Sequence, residues 1–126
     1  MPSIFTQIIN GDIPSYKIYE DAKTYAFLDI HPEVRGHVLV VPKLEVDKIY
    51  DLPDEDYFAL MSTAKKLARH MENVTGHRTL WKVIGVDVPH AHIHLQPFDD
   101  TFTPGRTLDF TPAEFEEIRS ELALEA

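Results

Sequence analysis

The sequence predicts an α+β fold in which an antiparallel sheet of about five strands packs against one long helix and short flanking helices. Short runs rich in strand-forming residues alternate with turn residues, and one long stretch has apolar residues at helical spacing. No Gly/Ser-rich or Pro-rich linker divides the 126 residues. We therefore expect a single domain over residues 1–126, with residues 98–126 as a C-terminal loop and helix extension.

Each element has its own local signal. Ser3 is a candidate N-cap for a short helix, and the long helix is predicted over residues 57–74, ending at Gly76. Thr111 and Glu114 form a capping box that opens a C-terminal helix. Strands are predicted at residues 16–20, 24–30, 37–41, 79–84 and 90–96, the second and third as a hairpin.

Composition excludes several classes of function. The chain has 12 Lys plus Arg against 21 Asp plus Glu, a net charge of −9, and no cysteine. This charge argues against binding to nucleic-acid polymers or anionic membranes, and the absent cysteines exclude a disulfide scaffold and a thiol nucleophile. There is neither a secretory signal nor an apolar run long enough to span a bilayer, so we expect a cytoplasmic protein.

Three of the seven histidines fall within five residues, at positions 90, 92 and 94. Alternate side chains of a strand share one face about 6.6 Å apart, so the three imidazoles are expected to point the same way. Ala91, Ile93 and Leu95 would then fill the other face. Imidazole can serve as a nucleophile, an acid or base, a hydrogen-bond donor to phosphate or a metal ligand, which makes this strand the candidate functional site.

A metal site is the main alternative that the residues leave open. Two histidines at i and i+2 on a strand can both ligate zinc, and Asp87 or His37 could complete the ligand set. Three successive alternate histidines suit a metal less well, because the outer two positions lie about 13 Å apart along the strand.

Residues 88–97, Val-Pro-His-Ala-His-Ile-His-Leu-Gln-Pro, resemble the signature of the histidine triad (HIT) family. Residues 4–21 look like the N-terminal segment of that family, and residues 27–43 look like its central hairpin. The three blocks occur in the family's order and cover most of the chain. The resemblance is closest to the small bacterial nucleoside phosphoramidases and implies a HIT-like domain.

The resemblance also implies catalytic roles. His92 matches the nucleophile, which attacks the α-phosphorus of a nucleotide conjugate while the backbone carbonyl of His90 holds its other ring nitrogen. His94 matches the residue that contacts the phosphate oxygens. His37 matches a histidine that supports His90 in a hydrogen-bonded relay. No metal or other cofactor is required in this mechanism.

The nucleoside side of the site is carried over in the same way. Asp29 matches the carboxylate that binds the ribose hydroxyls, which suits an acceptor facing two vicinal donors. The residues that match the lining of the base pocket are Ile4, Phe5, Ile8, Phe27, Ile30 and Leu39.

The chain departs from the family pattern just before the triad. Gly85-Val86-Asp87 stands where many members have Gly-Gln-Ser or Gly-Gln-Thr, and many members also have an asparagine in the preceding strand, where Trp81-Lys82-Val83 stands here. Asp87 would repel a phosphate unless it turns away, and Lys82 is a candidate substitute contact. Gln96 replaces an apolar residue of the signature, and we expect no effect on the site.

The leading hypothesis is a metal-independent hydrolase or transferase acting on purine nucleoside 5′-phosphoramidates or related conjugates through a nucleotidyl-histidine. The alternatives are a nucleotide-binding regulator with weak catalysis, a dinucleoside polyphosphate hydrolase, and a metal site on the histidine strand. The resemblance implies a homodimer with the long helix and a strand at the interface.

Overall fold

One sheet of five antiparallel strands organises the computed structural model, which describes residues 2–126. Along the chain the strands are β1 (Lys17–Glu20), β2 (Thr24–Leu28), β3 (Val38–Pro42), β4 (Arg78–Lys82) and β5 (Ile93–Phe98). Their order across the sheet is β1-β2-β3-β5-β4, which leaves β1 and β4 at the edges. β2 and β3 form the predicted hairpin, with Thr24 opposite Pro42 and Leu28 opposite Val38.

Three α-helices accompany the sheet: α1 (Ile4–Ile9), α2 (Asp54–Thr75) and α3 (Pro112–Leu122). The Ser3 hydroxyl accepts from the Thr6 N–H and caps α1, as predicted. The α3 capping box is also confirmed, since Thr111 and Glu114 exchange both hydrogen bonds. α2 ends at Gly76 in the left-handed region, with φ of 75°. The predicted α+β fold is therefore confirmed.

The main core lies between α2, α3 and one face of the sheet. Ala91, Ile93 and Leu95 all belong to it, as the alternation with the histidines predicts. α3 contributes Phe115, Ile118 and Leu122 to the same core, so the extension is packed on the sheet domain. The other buried members from α2 and β3 are Leu60, Ala64, Leu67, Met71, Val38 and Val40.

β5 begins three residues later than predicted, at Ile93 instead of His90. The Ala91 N–H donates to the Val46 carbonyl at 2.7 Å, and the His90 N–H donates to the Val88 carbonyl at 2.8 Å. Because these groups bond to loop residues, His90 and His92 precede the strand. No helix within residues 2–126 is long and apolar enough to cross a membrane.

Candidate active site

A second apolar cluster covers the opposite face of the sheet from the main core. Its buried members are Phe5, Ile8, Tyr25, Phe27, Leu39 and Val41. α1 supplies the first two, and β2 and β3 supply the others. Four predicted base-pocket residues therefore come together, but Ile4 and Ile30 do not join them and are 48% and 59% exposed.

His90 is fully buried where α1 meets this face. Its Nε2–H donates to the Pro42 carbonyl at 2.8 Å, because a carbonyl can only accept. Nδ1 is then an acceptor, and the Ser3 hydroxyl donates to it at 2.7 Å. Burial lowers the pKa of His90, which keeps this imidazole neutral.

The Ser3 end of α1 is held in turn by a carboxylate. Glu45 Oε1 accepts from the Ser3 N–H at 2.7 Å and from the Thr6 hydroxyl at 2.6 Å. The Thr6 and Ser3 hydrogen bonds lower the pKa of Glu45. One hydrogen-bonded unit at the N-terminus of α1 therefore joins Ser3, Thr6, Glu45 and His90.

His92 is oriented through its own backbone neighbourhood. Its Nδ1–H donates to the His90 carbonyl at 2.8 Å, the hydrogen bond that the resemblance implied. In the neutral ring this leaves Nε2 with its lone pair. Phe5 packs edge-on against the His92 imidazole, with ring centroids 5.1 Å apart.

His94 carries its proton on Nε2, the opposite ring nitrogen from His92. The Glu33 N–H donates to His37 Nδ1 at 3.1 Å, so neutral His37 carries its proton on Nε2. That Nε2–H donates to His94 Nδ1 at 2.8 Å, which leaves the His94 proton on Nε2. The His92 and His94 rings, 5.1 Å apart, therefore offer a lone pair and an N–H side by side.

The resemblance implied that His37 supports His90, and this expectation is wrong, because His37 bonds to His94 instead. β3 and β5 are neighbours with Leu39 opposite His94, so His37 meets the third histidine of the triad. Burial lowers the pKa of His37, and burial together with His37 and His92 lowers that of His94 to about 4.

Asp29 lies beside this pair. Its Oδ2 is 3.5 Å from His37 Nε2, and its Oδ1 accepts from the His31 N–H at 2.9 Å. Potential ligand atoms of Asp29, His37 and His94 lie within 4.8 Å of one another. A metal on His37 Nε2 would require the proton on Nδ1, where the Glu33 N–H already points. The Glu33 hydrogen bond therefore favours a hydrogen-bonded relay from Glu33 through His37 to His94 over a metal centre.

The two residues that we considered as possible neighbours of a bound phosphate, Lys82 and Asp87, lie differently. Lys82 is opposite His94 across β4 and β5, and its ammonium forms an ion pair with Glu33. Asp87 is exposed in the loop that leads to the triad. Of the two, Lys82 is the one that the sheet register brings beside the histidines.

Gln96, for which we expected no effect on the site, contacts the site residues, and Glu33 escaped the sequence analysis. Gln96 is fully buried, and its Nε2 donates to Glu33 Oε1 at 2.7 Å and lies 3.3 Å from both ring nitrogens of His37. Its two-residue spacing from His94 was an available signal, since it places both side chains on one face. Glu33 lies in a loop and carried no local signal. Burial opposes ionisation of Glu33, but hydrogen bonds from Lys82, Gln96 and Gly105 lower its pKa to about 2.

A histidine-triad site is defined by three features together: the antiparallel sheet, two imidazoles protonated on opposite nitrogens, and the adjacent apolar cluster. Residues 10–101 match the HIT domain family, and the chain belongs to that family. It is 41% identical over 99 residues to adenosine 5′-monophosphoramidase HNT1 of Saccharomyces cerevisiae, an alignment that covers 77% of this chain but only 63% of the yeast protein.

Two further comparisons cover nearly the whole chain. Adenosine 5′-monophosphoramidase HNT1 of Candida albicans is 36% identical, with 95% of this chain and 91% of that protein aligned. The crystal structure of a Hit-like protein involved in cell-cycle regulation from Bartonella henselae superposes with a TM-score of 0.86 at 25% identity. That superposition covers 95% of this chain and 92% of the other.

Proposed function

We propose that the chain is a nucleotide hydrolase or transferase that cleaves nucleoside 5′-phosphoramidates or related conjugates at the α-phosphate. Two relatives at 41% and 36% identity are named adenosine 5′-monophosphoramidases, which supports this substrate class. The observation that carries the proposal is the hydrogen bond from His92 Nδ1 to the His90 carbonyl, because it leaves Nε2 free to attack.

In the first step, His92 Nε2 forms a bond to the α-phosphorus and the P–N bond to the leaving amine breaks. The amine departs with a proton taken from solvent. The attached ring becomes cationic, and the His90 carbonyl, as acceptor of the Nδ1–H, stabilises that charge. The neighbouring His94 Nε2–H donates to the phosphoryl oxygens as negative charge develops on them.

In the second step, water attacks phosphorus and the bond to His92 breaks. The products are a nucleoside monophosphate and neutral His92, with its Nδ1 proton in place, and one proton of the attacking water passes to solvent. No step uses a metal or another cofactor. The apolar cluster around Phe5 and Phe27 would hold a purine base, and Asp29 would accept from the ribose hydroxyls.

The test is mass spectrometry after rapid quench of the protein with an adenosine 5′-phosphoramidate. We expect a nucleotidyl adduct on the peptide that contains His92. His92→Asn should abolish the adduct and lower kcat at least about 10³-fold. His31→Asn is the matched control, because His31 is exposed and should leave kcat unchanged.

Other outcomes would favour the alternatives. Substantial hydrolysis by His92→Asn would contradict the nucleophile assignment. Activity lost in chelator and restored by zinc would favour the metal site. Faster turnover of dinucleoside polyphosphates would favour that hydrolase class, and tight AMP binding without turnover would favour a regulator. The cytoplasmic location expected from the sequence stays a prediction.

We also propose a homodimer built on α2 and the edge strand β4. Trp81 on β4 is 37% exposed and lines a groove with Ala68 and Arg69 of α2. An uncovered edge strand with exposed apolar side chains favours pairing with another strand. Light scattering should give twice the chain mass of 14.4 kDa.

A substitution in the groove tests this interface directly. Trp81→Glu should yield the monomer mass, because pairing would bury the new charge. Tyr50→Glu, at a residue that is 78% exposed in the short turn before α2, should not change the mass. A monomer mass for the unmodified chain at tens of micromolar would overturn the dimer proposal.

A further inference from the structure

The loop between β2 and β3 carries two groups of the site, Asp29 and His37, yet it contains no helix or strand. Asp29 and His37 join across its base, where the Asp29 N–H donates to the His37 carbonyl at 2.9 Å. The intervening residues need other contacts to hold one conformation. These contacts come from the C-terminal extension after β5, which lies almost entirely beyond the family match at residues 10–101.

The loop before α3 forms the first set of contacts. The Gly105 N–H donates to Glu33 Oε2 at 2.6 Å, and Arg106 Nε donates to the Glu33 carbonyl at 3.1 Å. The Leu108 N–H donates to the Pro32 carbonyl at 2.7 Å. Three donors within four residues thus bind two adjacent residues of the β2–β3 loop.

α3 forms the second set. The Arg35 guanidinium donates to both carboxylate oxygens of Glu121, at 2.8 and 3.1 Å. Gly36, directly before His37, has φ of +86°, and a Cβ there would lie 3.2 Å from Leu122 Cδ1. α3 therefore packs closely against the residue that leads into His37.

Glu33 joins these contacts to the histidines. Its N–H fixes the His37 tautomer, and its carboxylate binds Gln96 and Lys82, which flank His37 and His94. If the backbone at Glu33 shifts, His37 Nδ1 loses its donor and the proton can move between the two His37 nitrogens. His94 would then lose the hydrogen bond that places its own proton on Nε2.

We propose that the C-terminal extension positions the His37–His94 donor pair by clamping the β2–β3 loop, with Glu33 and Arg106 as positioning residues for the phosphoryl-transfer step. This inference rests on the proposed function, in which His94 donates a hydrogen bond to the phosphoryl oxygens. The extension is thereby part of the catalytic apparatus, although it contributes no group that touches the reacting atoms.

The experiment compares full-length Arg106→Met and Glu33→Gln with the native chain. Long-range ¹H–¹⁵N spectra of the imidazoles report which ring nitrogen of His37 and His94 carries the proton. We expect a single Nε2–H form for His94 in the native chain and a mixture in both variants. kcat should fall by up to about 10²-fold, the cost of misplacing a catalytic group by about 1 Å, with little change in KM.

Two controls separate positioning from general damage. Arg119→Met removes a partly buried guanidinium of α3 that, within residues 2–126, pairs only with Glu116 of the same helix and bonds to neither the β2–β3 loop nor a histidine. It should leave kcat and the spectra unchanged. Arg106→Lys keeps a donor near the Glu33 carbonyl and should recover part of kcat.

The outcomes are decisive in both directions. A native His94 tautomer and native kcat in Arg106→Met and Glu33→Gln together would overturn the clamp. If one variant fails to fold, the other decides. If the native chain cleaves no phosphoramidate, the proposed function fails, while the imidazole spectra still decide whether the extension sets the tautomers.

Discussion

His92 and His94 carry their protons on different ring nitrogens, and their hydrogen-bond partners explain why. His92 donates to a carbonyl two residues earlier, whereas His94 accepts a hydrogen bond from His37, the residue directly before the neighbouring strand β3. Nucleophilic attack needs a lone pair, and stabilisation of phosphoryl oxygens needs a donor. Because the pKa of His94 is lowered to about 4, it donates as a neutral ring at pH 7.

Ser3 should contribute more to the free energy of unfolding than an ordinary helix cap does. Ser3→Ala removes the N-cap of α1 and leaves the buried His90 Nδ1 without its donor. Loss of the cap costs about 1 kcal/mol of stability, and the unpaired buried acceptor costs about 1–3 kcal/mol more. Urea unfolding should therefore show a loss of about 2–4 kcal/mol.

Thr111→Ala is the matched control for this change, because it removes the cap of α3 and touches no histidine. It should cost only about 1 kcal/mol. Equal losses in the two variants would show that the Ser3–His90 bond adds nothing to stability. Ser3→Thr keeps a hydroxyl and should recover most of the difference.

At the scale of elements, local patterns predicted what depends on local chemistry. The α1 and α3 caps, the β2–β3 hairpin and the burial of Ala91, Ile93 and Leu95 follow from residue type and spacing. The start of β5 could not be predicted, because Ala91 bonds to Val46, a residue far away in the sequence.

The partners of the site histidines were harder to predict than the histidines themselves. His37 meets His94 because β3 and β5 are adjacent, and strand order is not encoded in any local pattern. Glu33 joins the site through contacts with residues 82, 96 and 105, which the fold alone brings together. Sequence reasoning therefore found the histidines and Asp29, but not Glu33 or the hydrogen bonds that orient His37 and His94.

At the scale of the whole molecule, the buried neutral histidines make stability depend on pH. Burial in the folded chain lowers the pKa of His37, His90 and His94 below the ordinary histidine value of 6.5. Between pH 6.5 and the lowered values, the unfolded chain binds more protons than the folded chain, so stability falls as pH falls. Glu33 adds a second loss of stability as the pH falls from 4.5, its ordinary pKa, to about 2, its lowered pKa in the folded chain.

We therefore expect the free energy of unfolding to decrease steadily between pH 7 and pH 4.5 in urea titrations. Each histidine that stays neutral in the folded state contributes up to about 1.4 kcal/mol per pH unit in that window. His94→Asn should make the slope shallower, because it removes one such group, whereas exposed His31→Asn should leave it unchanged. A native stability that is constant from pH 7 to pH 5 would contradict the neutral, hydrogen-bonded histidine network on which both the donor pair and the nucleophile depend.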